Sequence, residues 1–186
     1  LVHCTRGCQG ALPGETQRQY RDRVLLAGRH TESGEPFETL VRILRSGRLV
    51  ASARATRQSH PVVCFSAAPL VELTQRRCFR SHLNRWDYEP YGVAIRLEAA
   101  RAIGIQPVIY GQPDQRTTLA RADRYRFHPL GKTYDWRSER EWRSPATVDL
   151  TRLDPGDVRV FVRDAADVAR LPDLRPWPVS VVSGND

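Results

Sequence analysis

The sequence predicts an α+β domain: one strongly amphipathic helix, several short apolar strands, and no regular βαβ repeat linking them. The helix is read from Phe37, Leu40, Val41 and Leu44, which fall on one stripe, with Pro36 near its start and Gly47 just past its end. The strands are read from runs such as residues 61–66 (PVVCFS) and 91–97 (YGVAIRL), too short for helices and rich in β-branched residues. Such strands are expected to pair into an antiparallel or mixed sheet with helices packed against it.

Residues 1–5 read as a short strand and 6–14, with glycines and a proline, as a loop. Residues 15–27 have helical spacing on a polar surface, with Gly28 placed to stop them. After the helix at 36–46, residues 48–52 continue as extended chain and 53–60 as a polar loop. Pro69 opens a helix that the pattern carries to about Leu83. Residues 87–90 are a turn, 98–103 a short helical turn ended by Gly104, and 107–110 a strand. Residues 111–114 form a loop, 115–127 have a helical pattern, and 138–143 read as an acidic strand. A strand at 158–162, a helix at 165–171 and a proline-rich passage at 172–178 lead to a last strand at 179–182. No repeat or low-complexity tail intervenes, so 1–186 is read as a single domain with its own core.

Lysine and arginine outnumber aspartate and glutamate 29 to 21, a net charge of +8. Lys132 is the single lysine, so the positive field is built from arginines, whose planar fork grips phosphates and stacks on bases. A GC-rich coding sequence explains arginine in place of lysine but not the excess charge, which favours polyanionic partners. No apolar run approaches the roughly 20 residues that span a bilayer, so no membrane partner is expected. The chain begins at Leu1 without methionine, which leaves room for a trimmed N-terminal part. Its first residues do not read as a secretory leader. Four cysteines (Cys4, Cys8, Cys64, Cys78) are too few for a disulfide scaffold and fit a reducing cytoplasm. The pair Cys4 and Cys8 with His3 lacks the second pair of a zinc site, so no metal is expected. No glycine-rich phosphate loop of the P-loop or Rossmann type is present.

The chemistry-bearing stretch is 135–144 (DWRSEREWRS). On a strand, Glu139 and Glu141 would share a face with Cα atoms roughly 6.6 Å apart. Two such carboxylates repel unless a cationic substrate, an oxocarbenium-like transition state or arginine partners make use of them. A solvated edge strand laced with Glu–Arg pairs is the plainer reading. Two other stretches interleave basic and aromatic residues: Arg76, Arg77, Arg80 and Arg85 with Phe79 and Trp86, and Arg121, Arg124 and Arg126 with Tyr125 and Phe127. Arginine on the backbone and aromatics against the bases is how single strands are held, and a solvated helix face is the alternative.

Several segments occur in a recognisable order: LVHCT (1–5), RSGRLVAS (45–52), VVCFSAAPL (62–70), YGVAIRL (91–97), QPVIY (106–110) and EREWR (139–143). Their order and spacing resemble the AbiGi-like group of bacterial abortive-infection proteins and a larger set of relatives that open on an L-x-H-aromatic-T strand. The resemblance covers roughly residues 1–144. It departs at Cys4, where the relatives carry an aromatic residue, and in a polar insertion around 16–33.

More distantly the layout resembles the ADP-ribosyltransferase fold, including DarT-type toxins that modify DNA. That resemblance implies two small antiparallel or mixed sheets forming a cleft, with flanking helices and NAD bound as substrate. It places His3 and Thr5 in the motif that holds the adenosine-side ribose, and Ser66 in the middle motif. Glu141 matches the catalytic glutamate, with Glu139 two residues before it, while Tyr88 and Tyr91 are candidates to stack on nicotinamide or a base. Arg76, Arg77, Arg80 and Arg124 are the candidate nucleic-acid contacts. The same residues have plainer roles: a structural histidine, a serine cap, and tyrosines in the core.

The implied function is an NAD-using enzyme that modifies a nucleic acid or a protein, in phage defence or a toxin system. The alternatives are a non-enzymatic binding module on the same fold and a metal-dependent nuclease built on Asp135, Glu139 and Glu141. The transferase reading requires His3 and Tyr91 to lie near the acidic segment.

Overall fold

A computed structural model describes residues 1–7, 11, 15–27, 35–53, 60–80, 85–131, 135–172 and 176–182. The side chains of 23, 24, 26, 27, 80 and 85 fall outside the description, as do Cys8 and most of the expected loop at 53–60.

The order of elements is mixed, as the patterning predicts. Strand β1 (Val2–Cys4) is followed by helices α1 (Gln17–Ala27) and α2 (Pro36–Ser46), then β2 (Arg48–Leu49) and β3 (Val63–Ser66). Helix α3 (Leu70–Gln75), strands β4 (Cys78–Arg80), β5 (Arg85–Asp87) and β6 (Gly92–Ile95), and helix α4 (Leu97–Ala102) come next. Then come β7 (Gln106–Pro107), β8 (Ile109–Gly111), β9 (Phe127–Pro129), β10 (Glu141–Ser144), β11 (Val148–Asp149) and β12 (Val158–Val162). Helix α5 (Ala165–Arg170) and strand β13 (Val179–Val181) end the described chain.

Seven strands form the main sheet in the order β13-β12-β6-β1-β3-β10-β7. All its pairings are antiparallel except the parallel edge pair β12–β13. The remaining strands form three two-stranded ladders, β11–β2, β4–β5 and β8–β9. The class is thus α+β with one dominant mixed sheet, where two small sheets of comparable size were expected.

Alternation sorts the sheet into two faces. Val63, Phe65, Val93, Ile95, Val158, Val160 and Val162 join Phe37, Leu40, Val41 and Leu44 of α2 in the larger core. Helix α2 closes as its sequence foretells: Gly47 takes φ 65°, and its N–H bonds the carbonyl of Ile43. The opposite face carries Val2 and Cys4, which pack on a smaller cluster of Ala68, Leu73 and Tyr88 beneath α3. Gly92 makes the close strand approach possible, because a Cβ there would lie 2.0 Å from the His3 carbonyl oxygen.

Two expected helices are shorter than their patterns. The helix from Pro69 ends at Gln75, because Cys78-Phe79-Arg80 pairs with Arg85-Trp86-Asp87 as a hairpin. The segment 115–127 resolves into two short 3-10 turns, Pro113–Thr117 and Arg121–Arg126.

Candidate active site

Strands β1, β3 and β10 lie side by side, so three sequence-distant motifs become neighbours. Val2 faces Ser66, and Ser66 faces Glu141, which sets all three in one row on the α3 side of the sheet. Cys64 and Arg143, directly opposite each other, share that side.

The acidic segment is not one strand. Trp136–Glu139 is a 3-10 turn whose N-cap, Asp135, accepts from the Arg137 backbone N–H. Arg140 then takes a left-handed conformation (φ 46°), and β10 begins only at Glu141. The two glutamates therefore belong to different elements. Three bonds fix the turn. The Ser66 hydroxyl donates to the Glu139 carbonyl at 2.6 Å, the Ala67 N–H to the Arg140 carbonyl at 3.0 Å, and Arg76 to the Ser138 carbonyl at 2.9 Å.

The two carboxylates have different surroundings. Glu141 meets Arg143 in a two-pronged pair at 2.9 and 3.1 Å, with side chains 14% and 3% exposed. Arg143 also donates to the carbonyls of Tyr125 and Phe127, at 2.9 and 3.0 Å. The charge of Glu141 is thus matched inside the fold. The Glu139 carboxyl is held above its ordinary range, first by burial and then by the nearby charge of Glu141 and Asp87. The Tyr88 hydroxyl donates to it and Arg6 lies close, and both favour the ionised form.

Around this pair the same side of the sheet is crowded with ionisable groups. Arg6 pairs with Asp87 at 3.5 Å, and Arg77 with Glu89 at 3.1 Å. Burial raises the thiols of Cys4 and Cys64 to about 12, with Glu141 adding to the rise at Cys64, so both are inert thiols at neutral pH. Tyr110, whose hydroxyl accepts from the Glu141 N–H at 3.3 Å, is raised to about 12 by burial. His128 stands edge-on between Tyr110 and Trp136, at 5.7 and 5.5 Å. Burial lowers its pKa, while the charge of Glu141 opposes that.

Several expected site residues lie elsewhere. The Tyr91 hydroxyl donates to buried Asp167 at 2.8 Å and its ring meets Phe37 edge-on, so it belongs to the core beneath α2 and α5. Thr5 is buried and donates to the carbonyls of Pro36 and Tyr91, clipping β1 to the start of α2. His3 alternates with Val2 and so points to the face opposite Glu141, where its ring packs 5.6 Å from Phe65. Its Nδ1 lies 2.8 Å from the Cys64 carbonyl, which can only accept, so Nδ1 carries the proton. Burial brings its pKa down to about 4, so the ring is neutral at physiological pH. Ser66 and Tyr88 do reach the acidic segment, Ser66 through the backbone of Glu139 and Tyr88 through its carboxylate.

Among the arginines expected at nucleic acid, Arg76 braces the acidic turn and pairs with Glu72. Arg124 ties the 3-10 turns together through the carbonyls of Leu119 and Thr117. The residues that sequence reasoning missed are Arg6, Asp87, Cys64 and Arg143. The i, i+2 spacing of Glu141 and Arg143 on a strand is the signal that identifies the last of them.

Among the described residues, no cluster of three or more His, Cys, Asp or Glu side chains is arranged to hold a metal ion. Asp135, offered for a metal-dependent nuclease, is instead engaged by Arg137 at 2.8 and 2.9 Å. Comparison with protein-family models, with curated proteins and with solved structures returns no match.

Proposed function

We propose that the protein is an ADP-ribosyltransferase-like enzyme that takes NAD as substrate and modifies a nucleic acid or a protein. The observation that carries this reading is the meeting of Glu139, Glu141, Tyr88 and Arg6 on one side of the β1–β3–β10 array. In the reaction, the bond between the ribose C1 and the nicotinamide nitrogen breaks, and its electron pair leaves with nicotinamide. Positive charge develops on the sugar, and a carboxylate bonded to the neighbouring 2′-hydroxyl stabilises it. Glu141 takes that role. Glu139, raised toward neutral pH, accepts the proton of the acceptor's oxygen or nitrogen as that atom attacks C1. Arg6 supplies charge for the pyrophosphate. His3 and Tyr91 have no part in this version of the site.

The test is nicotinamide release from NAD, assayed beside labelling of candidate DNA, RNA and protein acceptors. Glu141→Gln should abolish both. Glu139→Gln should impair transfer more than hydrolysis, because water is the less demanding acceptor. Full activity of both variants would remove the site from the reaction.

A binding module on the same fold is the second reading. It is favoured by the Glu141–Arg143 pair, which leaves no net charge on that carboxylate, and by the placement of His3 and Tyr91 away from it. NAD raises the melting temperature on the first reading, and nucleic acid alone does so on the second.

A further inference from the structure

We infer that the β4–β5 hairpin is a stacking platform for the unpaired bases of a single-stranded nucleic acid. Phe79 and Trp86 face each other directly across the hairpin, with ring centroids 5.5 Å apart. They remain 48% and 40% exposed, in a chain whose other large aromatic side chains are mostly buried. Packing does not account for two paired rings left in water. An exposed apolar pair of this kind marks a contact surface.

Charge selects the occupant. The Arg77 guanidinium lies over the Trp86 ring, 4.2 Å from its centroid, beside the exposed pair. The register sets Arg80 directly opposite Arg85 at the next position of the ladder. Like charges placed opposite each other destabilise a hairpin, and an anion between the strands relieves them. Rings for bases and cations for phosphates within one short hairpin match a nucleic-acid strand, and the net charge of +8 supports the same partner. The strand is single because the faces of paired bases are closed off by stacking within the duplex. The platform stands apart from the NAD reaction. It also assigns Phe79 and Trp86, rather than Arg76, as the residues that meet the ligand.

The experiment measures fluorescence anisotropy of labelled dT12 and rU12, and of a duplex of the same length, without NAD. Single strands should bind better than duplex, and affinity should fall steeply with salt. The double variant Phe79→Ala, Trp86→Ala should weaken single-strand binding at least about tenfold, with the salt slope kept. Trp86→Phe, which keeps a ring, should retain most of the binding and controls for a damaged fold. Comparison of dT12 with rU12 shows whether the strand is DNA or RNA. Equal binding by the double variant, or a preference for duplex, overturns the inference. So does a wild-type dimer that the double variant converts to monomer without any change in nucleic-acid binding, because the rings would then be a protein interface. Loss of nicotinamide release in a glutamate variant leaves these outcomes unaffected.

Discussion

Tyr88 reaches the Glu139 carboxylate from a left-handed backbone position, φ 60°. A non-glycine residue there costs about 1–3 kcal/mol. The residue that follows Glu139, Arg140, is left-handed as well (φ 46°), so both arms of this contact are held in strained backbone. Such strain collects where geometry serves a site. Tyr88→Phe keeps the ring and the backbone but removes the donor that favours ionised Glu139. The acid limb of the pH–rate profile for transfer should move to higher pH, with a rate loss of about tenfold or more at neutral pH. A profile that stays in place would mean that the hydroxyl does not act on the reacting carboxylate.

Glu139 should cost the fold stability at neutral pH. Its folded pKa is raised, so its contribution is fully present below the unfolded carboxylate pKa and is lost as pH rises through the folded value. At pH 7 the ionised carboxylate is therefore a burden, and Glu139→Gln relieves it. The variant should melt a few degrees higher than wild type at pH 7, since about 1 kcal/mol moves the midpoint by 2–4 °C at this size. The advantage should shrink toward pH 4.5. A lower midpoint at pH 7 would show that Tyr88 and Arg6 more than offset the burial.

The Glu141–Arg143 pair is the most deeply placed ion pair beside the site, and its two ends are not equivalent. Removing Arg143 leaves a buried carboxylate unmatched and the carbonyls of Tyr125 and Phe127 without their donor. Arg143→Met should cost about 3–5 kcal/mol in urea unfolding. Glu141→Gln can still accept from Arg143 and should cost less. Equal losses would place the main contribution in the carboxylate rather than in the arginine's backbone bonds.

Much of the frame could be read from the chain. The α2 stripe with Pro36 before it and Gly47 after it, and the apolar runs of β3, β6 and β12, each carry a local period that burial then enforces. The acidic segment misled because spacing by two implies a shared strand face only if the residue between is extended. Arg140 is left-handed, and nothing in its side chain announces that. The helix carried to Leu83 failed for a related reason. Leu70 and Leu73 have helical spacing, but Phe79 and Trp86 are placed symmetrically about residues 81–84, a hairpin signature that helical counting overrides. Tyr91 illustrates what one sequence leaves open. Its partner, Asp167, lies 76 residues away and is brought to it only by the sheet.

That tyrosine yields a test separating fold from function. Tyr91→Phe removes one of the bonds to the buried Asp167 carboxylate, which keeps Arg163 and Arg170 as partners. The loss should be about 1.5–3 kcal/mol of stability, as for a hydrogen bond to a charged group. The Michaelis constant for NAD should stay at the wild-type value. A raised constant at unchanged stability would return Tyr91 to the binding site.

His3 and Glu139 should pull stability in opposite directions as the solution is acidified. Burial lowers the folded pKa of His3 to about 4, from an ordinary 6.5. Its contribution is therefore present above 6.5 and is lost as pH falls toward 4, since the unfolded chain takes up a proton that the folded one refuses. Glu139, raised in the fold, runs the other way and regains stability over the lower part of that range. His3→Gln keeps a donor for the Cys64 carbonyl but cannot titrate, so its urea midpoint should fall less than wild type between pH 7 and 4.5. Glu139→Gln should fall more, because the compensating gain is gone. The double variant should return to a dependence near that of wild type, since the two residues lie on opposite faces of the sheet and their effects should add. A His3→Gln curve parallel to wild type would mean that the ring stays neutral in the unfolded chain over this range or is protonated in both states. The placement of His3 within the Phe65 face would then need another physical account.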